Sequence, residues 1–197
     1  MEYLEDNYSA LVPQSVSPEG TRDVANATAE TWYQYGRSQA LSAFTSTPKL
    51  IVGVLSKEPM YAFDNQDMLI ASGGTAGYCA ITKKASCPYD LEYMQAWLSN
   101  PYTEKIISIY GSDFENGFVS RGTAVLKSLP FIPLDLQDKD QKVQYDLVIS
   151  STREIYAIND QLKDSLPKAQ ETVLIRRKGE LIKKIQDTIK FVYEMRV

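Results

Sequence analysis

The chain has no histidine, only two cysteines, no excess of basic residues and no long hydrophobic run. Without histidine, the commonest general base and the usual partner of a serine or cysteine nucleophile are missing, so any catalysis would rest on carboxylates, lysine or tyrosine. Cys79 and Cys87 are too few for a disulfide framework or a four-thiolate zinc site, and we expect both to be reduced structural thiols.

Charge and hydropathy restrict the partners and the compartment. A net charge of -4 argues against binding nucleic acid through overall charge, although a local basic surface is compatible with it. No apolar stretch approaches the ~20 residues of a membrane span, and the N-terminus has neither the basic start nor the apolar run of a secretory signal. We therefore expect a cytoplasmic protein that does not contact a membrane.

The sequence divides into three zones of different composition. Residues 1–30 are polar and interrupted by proline and glycine, which predicts an irregular lead-in that continues from a missing upstream domain. Residues 31–134 mix short apolar runs with helical spacing, and residues 135–197 have the spacing of two long helices. With 197 residues and 44% hydrophobic composition, we expect an α+β domain with a helical appendage.

The middle zone contains both strand and helix signals. The runs "KLIVGVL" and "MYAF" are rich in β-branched and aromatic residues, and "DNQD" after the second run predicts a hairpin turn in a small mixed β-sheet. Further on, "LEYMQAWL" has apolar residues at helical spacing, and Ser86 or Asp90 could cap its start. The next segment, "YTEKIISIYG", predicts a second helix that ends at Gly111.

The last zone predicts two long helices folded into an antiparallel, coiled-coil-like hairpin. Asp138 followed by Gln141 resembles a capping box, and Ser165 and Pro167 interrupt the helical pattern. Each helix has a narrow apolar seam, formed by Val148, Ser151, Ile155, Ile158 and Leu162 in the first and by Ile182, Ile185, Ile189 and Val192 in the second. Such a hairpin can belong to the core of the domain, or it can contact another domain or subunit.

Three local motifs suggest chemistry without completing a catalytic signature. "SNPYTE" resembles part of the loop with which amino-methyltransferases hold a base, but it lacks the second proline and favours a turn between helices. "SGGTAGY" is neither a P-loop nor a dinucleotide fingerprint, and predicts a tight turn whose backbone could also approach a ligand. The acids Asp64, Asp67, Asp113 and Glu115 form no nuclease-like grouping, and we expect them to be solvated.

Several stretches together resemble a known family. These are, in order, "WYQYGRSQAL", "PKLIVGVLSKEP", "YAFDN", "SGGTAGYCAI" and "LKSLPFIPL". They look like the C-terminal specificity domain of Taq-type adenine DNA methyltransferases and of fused type II restriction-modification enzymes, over roughly residues 28–134. The tail "IQDTIKFVYEM" is similar to the helix that closes many of these enzymes and type I specificity subunits.

The resemblance implies a division of labour. This chain would recognise the target sequence in double-stranded DNA, whereas a missing upstream methyltransferase domain would bind S-adenosylmethionine and supply the catalytic Asn/Asp-Pro-Pro-Tyr loop. The chain alone would then hold no cofactor and catalyse nothing. Its parent would be a site-specific adenine methyltransferase, which could also be fused to an endonuclease.

Ten residues are candidates for DNA contacts. Arginine can donate two hydrogen bonds to guanine, glutamine can pair twice with adenine, and glycine lets backbone N–H groups approach a phosphate. Base contact and phosphate positioning both stay open for Arg37 and Ser38, and Tyr35 could equally belong to the core or its rim. The candidates are Tyr35, Arg37, Ser38, Gln39, Lys57, Ser72, Gly73, Gly74, Thr75 and Arg121.

Other classes of function are compatible with parts of the sequence. The two seamed helices could pair with another chain or with a second copy, which would make this a protein-interaction module. The domain could instead be similar to a type I specificity subunit. A stand-alone enzyme that uses lysine or tyrosine near the glycine-rich loop is a third alternative.

Overall fold

We analysed a computed structural model of the chain, which describes residues 2–34, 48–68, 70 and 77–194. The chain divides into two compact units, Met1–Ala43 and Phe44–Val197. Within the described ranges, no helix is both long and apolar enough to cross a membrane. Cys79 and Cys87 are free, half-buried thiols.

The described part of the first unit begins with two short helices. Helices α1 (Glu2–Asp6) and α2 (Tyr8–Leu11) precede a series of turns. The guanidinium of Arg22 donates hydrogen bonds to the carbonyls of Leu11, Trp32 and Gln34, at 3.1, 3.1 and 2.8 Å. The buried ring of Trp32 also lies edge-on to Tyr8, with centroids 4.7 Å apart. One arginine therefore joins the end of α2 to the turn at residues 32–34.

The second unit contains two small antiparallel sheets. In the first, β1 (Lys49–Gly53) lies between β3 (Tyr61–Asp64) and β4 (Tyr78–Thr82). In the second, β6 (Phe118–Ser120) lies between β2 (Leu55–Ser56) and β5 (Asp113–Phe114). Every ladder among the described strands is antiparallel, so the predicted mixed sheet is two antiparallel sheets, and the α+β class is confirmed.

The turn after β3 is built by the side chain of Asp64. Its two carboxylate oxygens accept hydrogen bonds from the backbone N–H groups of Gln66 and Met68, at 2.9 and 3.0 Å. The predicted turn at "DNQD" is therefore present, but β3 pairs with β1 and residues 65–68 form no strand. Asp64 is 6% exposed and lies 2.5 Å from Nζ of Lys49, so the expectation that it is solvated was wrong.

Two helices follow the first sheet at the predicted places. Helix α3 spans Leu91–Leu98 and begins after Asp90, and helix α4 spans Pro101–Tyr110 and ends at Gly111. Gly111 has an ordinary negative φ, but a Cβ there would lie 2.6 Å from the carbonyl oxygen of Ser120. Close approach of β6, rather than backbone conformation, therefore requires the glycine.

The "SNPYTE" motif forms the turn between these helices, as predicted. The carboxamide oxygen of Asn100 accepts a hydrogen bond from the backbone N–H of Tyr102 at 2.9 Å, and Pro101 occupies the first turn of α4. Asn100 is 1% exposed. Its role is therefore to cap α4.

The C-terminal hairpin is present, with boundaries close to the prediction. After the short helix α5 (Thr123–Ser128), α6 spans Lys139–Gln161 and α7 spans Lys168–Glu194. The carboxylate of Asp138 caps α6. The carboxamide oxygen of Gln141 accepts a hydrogen bond from the backbone N–H of Asp135 instead of that of Asp138, so the predicted capping box is only half formed. The guanidinium of Arg177 bonds Glu154 across the two helices at 2.7 and 3.1 Å.

Both long helices share one core with the first sheet. Ile182 is 39% exposed, so the seam of α7 runs instead through the neighbouring Leu181, which is 2% exposed. The indole N–H of Trp97 donates to the phenol oxygen of Tyr193 at 2.7 Å and ties α3 to α7. The core comprises Leu50 and Val52 of β1, Tyr93, Trp97 and Leu98 of α3, Ile107 of α4, Tyr145, Val148 and Ile149 of α6, and Ile185, Ile189 and Val192 of α7. The seams therefore serve core packing, and the boundary predicted at residue 134 stays a prediction.

Candidate nucleic-acid interface

The structure describes two of the predicted DNA-contacting residues, Lys57 and Arg121. The other predicted contacts lie outside the described residues and remain predictions from sequence. They are Tyr35, Arg37, Ser38, Gln39, Ser72, Gly73, Gly74 and Thr75. Gly77 is the first described residue of the glycine-rich stretch "SGGTAGY".

Gly77 lies at one end of the first sheet. Its carbonyl accepts a hydrogen bond from the backbone N–H of Val54 at 3.1 Å, and Val54 in turn accepts from the backbone N–H of Arg121 at 2.6 Å. Gly53, which precedes Val54, pairs with Tyr78 in β4 and donates to the carbonyl of Met60 at 3.0 Å. We call this region, formed by Gly53, Lys57, Met60, Gly77 and Tyr78, the sheet end.

The side chains of the sheet end are exposed. Met60 and Tyr78 are 50% and 44% exposed, and Lys57 is also exposed directly after the short strand β2. The ammonium nitrogen of Lys57 lies 5.3 Å from the centroid of the Phe118 ring in β6. This cation–π contact orients the lysine while leaving its N–H groups accessible to solvent or to a phosphate.

Arg121 lies inside the unit instead of on its surface. Its side chain is 2% exposed, and its guanidinium bonds the carbonyl and hydroxyl of Ser56 at 2.5 and 3.0 Å. On the other side, it bonds both carboxylate oxygens of Glu104 at 2.6 and 3.4 Å. These bonds hold β2, α4 and β6 together, so the guanidinium of Arg121 has a structural role inside the unit.

The surroundings of Arg121 shift two pKa values, that of its own guanidinium and that of the Tyr61 hydroxyl. Burial would lower the pKa of Arg121, but the hydrogen bond and the charge of Glu104 raise it, so the guanidinium stays charged. Burial, followed by the Glu104 carboxylate, raises the pKa of Tyr61, whose hydroxyl donates to Glu104 at 3.1 Å. The cluster is therefore a fixed ion pair with a neutral phenol beside it.

A cleft near the sheet end was not anticipated from the sequence. It has a volume of about 430 Å³ and lies between α3, α6 and α7, and its lining includes Pro59 and Tyr61, the two sequence neighbours of Met60. We call it the α3–α6–α7 cleft. One sequence signal points to it, because Thr152 places a second hydroxyl next to Ser151 along the seam of α6.

Other candidate chemistry is sparse in the described part of the chain. No group of three or more histidine, cysteine, aspartate or glutamate side chains there is arranged to hold a metal ion. Asp67, Asp113 and Glu115 are exposed, as expected. The arrangement at the sheet end offers binding groups, namely an oriented ammonium and exposed apolar and phenolic side chains.

The chain is similar to part of a known bacterial protein, although no protein-family model matches it. Over 163 residues, it is 38% identical to the type II restriction enzyme and methyltransferase RM.Eco57I of Escherichia coli. The match covers 83% of this chain but only 15% of that relative. The chain is therefore similar to one segment of a protein that combines restriction and methylation.

Proposed function

We propose that this chain is a target recognition domain, which reads a DNA sequence for a type II restriction-modification enzyme. The observation that carries the proposal is the 38% identity to RM.Eco57I along 83% of the chain, combined with the small share of that relative which the chain spans. Several separate motifs also resemble, in the same order, the specificity domain of Taq-type adenine methyltransferases. This resemblance supports the specific role in target recognition.

The sheet end supports a role in DNA binding. Lys57, Met60 and Tyr78 are exposed on a hydrogen-bonded framework, and Gly77 in that framework belongs to the glycine-rich segment "SGGTAGY". A lysine held over an aromatic ring is suited to a backbone phosphate, and an exposed phenol can contact a sugar or a base edge. Lys57 would position DNA, while the glycine-rich residues Ser72–Thr75 would approach the phosphate backbone.

The side chains of residues 37–39 supply the chemistry for reading bases. Arginine forms two hydrogen bonds with guanine, and glutamine forms two with adenine. In enzymes that recognise different sequences, a shared motif is better suited to the invariant phosphate backbone. We therefore assign Arg37 and Ser38 to backbone positioning, and Gln39 to base contact.

The remaining parts of the reaction belong to the parent protein in this proposal. A methyltransferase region outside this chain would bind S-adenosylmethionine and transfer the methyl group to adenine. Because this chain has a net charge of -4, that region would have to supply most of the contacts to DNA phosphates. Double-stranded DNA and this region are the proposed partners, in the bacterial cytoplasm.

Selection of binding sites tests the proposal directly. The 197-residue chain is incubated at low salt with a pool of duplexes that carry a randomised segment, and the retained duplexes are sequenced. We expect enrichment of one short sequence, because base contacts discriminate even where total affinity is weak. Retention of an unchanged, random pool would contradict the proposal.

Single substitutions separate positioning from reading. Lys57→Met and Arg37→Met are expected to weaken binding to the enriched duplex and to a scrambled duplex by the same factor, because phosphates carry no sequence information. Gln39→Leu is expected to weaken binding to the enriched duplex and to leave binding to the scrambled duplex unchanged. Lys163→Met, which changes a lysine that is 74% exposed in the turn after α6, is the matched control and should have no effect.

One observation favours a second role, in self-association. Ile175 and Ile182 are seven residues apart and therefore on one face of α7, and they are 54% and 39% exposed, although most of the seam of this helix is buried. A second copy could cover them through its own α7. Sedimentation equilibrium over a concentration series tests this role, and a constant monomer mass would exclude it over that range.

A further inference from the structure

The α3–α6–α7 cleft has an unusual lining for so acidic a chain. Asp and Glu number 25 in the sequence, yet none of the described residues around the cleft is acidic, and Lys178 is the charged residue among them. Apolar walls come from Ile155, Ile182 and Ile185. A cleft of about 430 Å³ with a positive group and apolar walls is suited to a small organic anion.

Several polar groups of the cleft lack partners. Thr152 is 5% exposed, and its buried hydroxyl oxygen has no hydrogen-bond partner among the described residues. A buried hydroxyl without a partner is costly, so its retention points to a ligand that would satisfy it. The side chains of Asn159, Lys178 and Gln186 also line the cleft and form no hydrogen bond or ion pair with the described part of the chain.

One wall of the cleft is rigid and aromatic. The ring of Tyr156 stacks on Phe63, with centroids 5.3 Å apart and planes inclined by 17°. Its hydroxyl donates to the amide oxygen of Gln95, whose nitrogen donates to the carbonyl of Tyr61 at 2.6 Å. These contacts fix the Tyr156 side chain before any ligand arrives, which reduces the entropy cost of binding.

We propose that the α3–α6–α7 cleft binds a purine nucleotide. Amide side chains present a donor and an acceptor side by side, which matches the edge of adenine, and Asn159 and Gln186 supply two such amides. The hydroxyl of Thr152 bonds a ring nitrogen or exocyclic group, and the base packs against Tyr156 and the isoleucines. Lys178 pairs with the phosphate.

The nucleotide can come from two sources with the same chemistry. It can be free in solution, or it can be an unpaired nucleotide of bound DNA, because Pro59 at the edge of the cleft adjoins Met60 of the sheet end. The inference does not depend on sequence recognition by the sheet end, since it rests on the lining of the cleft alone.

Calorimetric titration of the 197-residue chain with AMP tests the inference. We expect saturable binding of AMP with a dissociation constant of about 1 mM or tighter, and weaker binding of adenosine, which lacks the phosphate. Ribose 5-phosphate, which lacks the base, should bind weakest. Failure of AMP to saturate at that concentration range would overturn the assignment.

Three variants assign any binding to this cleft. Lys178→Met should weaken the binding of AMP about tenfold and leave the affinity for adenosine unchanged, because it removes one charge-assisted bond to the phosphate. Thr152→Val should weaken both ligands without lowering the unfolding midpoint, since the hydroxyl has no partner to lose. Lys168→Met at the exposed start of α7 is the matched control. Equal AMP affinity in the Lys178 and Lys168 variants would overturn the inference.

Competition distinguishes the two sources. A duplex with one bulged adenine displaces AMP if the cleft receives nucleotides from DNA, whereas a fully paired duplex of the same sequence does not. AMP binding that neither duplex displaces assigns the cleft to free nucleotides. Both outcomes support a nucleotide site, and neither depends on whether the selected sequences show a preference.

Discussion

At the scale of residues, buried charge determines much of the second unit. Arg121 bridges Ser56 and Glu104 with its side chain 2% exposed, and Lys49 lies opposite Asp64 in the β1–β3 ladder. A buried charge that loses its partner keeps its desolvation cost without the compensating attraction. Both pairs should therefore affect stability more than the exposed ion pairs of the helical hairpin.

Replacing Arg121 tests this difference. Arg121→Met is expected to lower the free energy of unfolding by about 3 kcal/mol, because it leaves Glu104 and the Ser56 carbonyl without their partner. Arg176→Met, which changes an arginine that is 74% exposed, should stay within about 0.5 kcal/mol of the original protein. Urea denaturation measures both. Equal losses in the two variants would contradict an internal role for Arg121.

The Asp64 carboxylate makes stability depend on pH in a defined direction. The hydrogen bond from Lys49, and then those from the backbone of Gln66 and Met68, hold the pKa of Asp64 below its ordinary value of 3.8. Because folding lowers this pKa, the unfolded state binds the proton more tightly. The stabilisation is therefore complete above the unfolded pKa and is lost as the pH falls through the folded pKa.

Comparison with Asp64→Asn measures this contribution. The difference in unfolding free energy between the original protein and the variant should be constant above about pH 5 and should shrink as the pH falls below about 4. Asp146→Asn, at a position 57% exposed on α6, is the control and should show a small difference. A difference for Asp64→Asn that grew with acidification would have the wrong sign.

Sequence patterns predicted the local backbone structure around these residues, but not the side chains with which they pair. "DNQD" predicted a turn, but it did not show that Asp64 would pair with Lys49, since that contact requires the register of β1 against β3. In the same way, Arg121 in "FVSRGTAVLK" has the composition of a surface strand end. Its burial follows from Glu104 on α4, which is distant in sequence.

At the scale of elements, the helices were the most predictable part of the fold. The spacing in "LEYMQAWL" and the proline after Asn100 marked α3 and the start of α4, because local signals determine where helices begin and end. The sheet pairing was less predictable, since β1 pairs with β4 across a long connection and "KLIVGVL" splits into β1 and β2 of different sheets. The seam of α7 was displaced by one residue, from Ile182 to Leu181.

Two glycines with opposite surroundings test the packing of the helices. Gly179 lies inside α7, where an added Cβ would meet no atom within 4 Å among the described residues, so Gly179→Ala should stabilise the protein by about 1 kcal/mol through helix propensity. A Cβ at Gly111 would lie 2.6 Å from the Ser120 carbonyl oxygen, so Gly111→Ala should destabilise it. Thermal unfolding of both variants gives the signs, and a destabilising change at Gly179 would contradict the open surroundings of that helix face.

At the scale of the whole molecule, the two units are stabilised by different kinds of contact. Arg22 and Trp32 organise the first unit through three carbonyl bonds and an edge-on ring contact. The second unit has a shared core of sheet and long helices, in which the C-terminal hairpin takes part. The sequence predicted the hairpin itself but left open whether it packs on this unit or on a partner, because a seam does not identify what covers it.

The proposal of a recognition role starts from the similarity of this chain to one segment of RM.Eco57I. The proposed recognition surface draws on groups at the sheet end, and the α3–α6–α7 cleft lies next to it at Pro59. Arg37, Ser38 and Gln39 enter the proposal from residue chemistry and family resemblance. The sequence could predict these candidates, but the cleft required the packing of α3 against the α6–α7 hairpin, which is distant from it along the chain.

The ratio of affinities for a selected and a scrambled duplex decides whether this chain reads DNA sequence. Fluorescence anisotropy of the 197-residue chain with both duplexes, at increasing salt, measures this ratio. We predict that both affinities fall with salt while the selected duplex stays at least about tenfold tighter, because phosphate contacts are screened and base contacts persist. Equal affinities for the two duplexes at every salt concentration would contradict a role in target recognition.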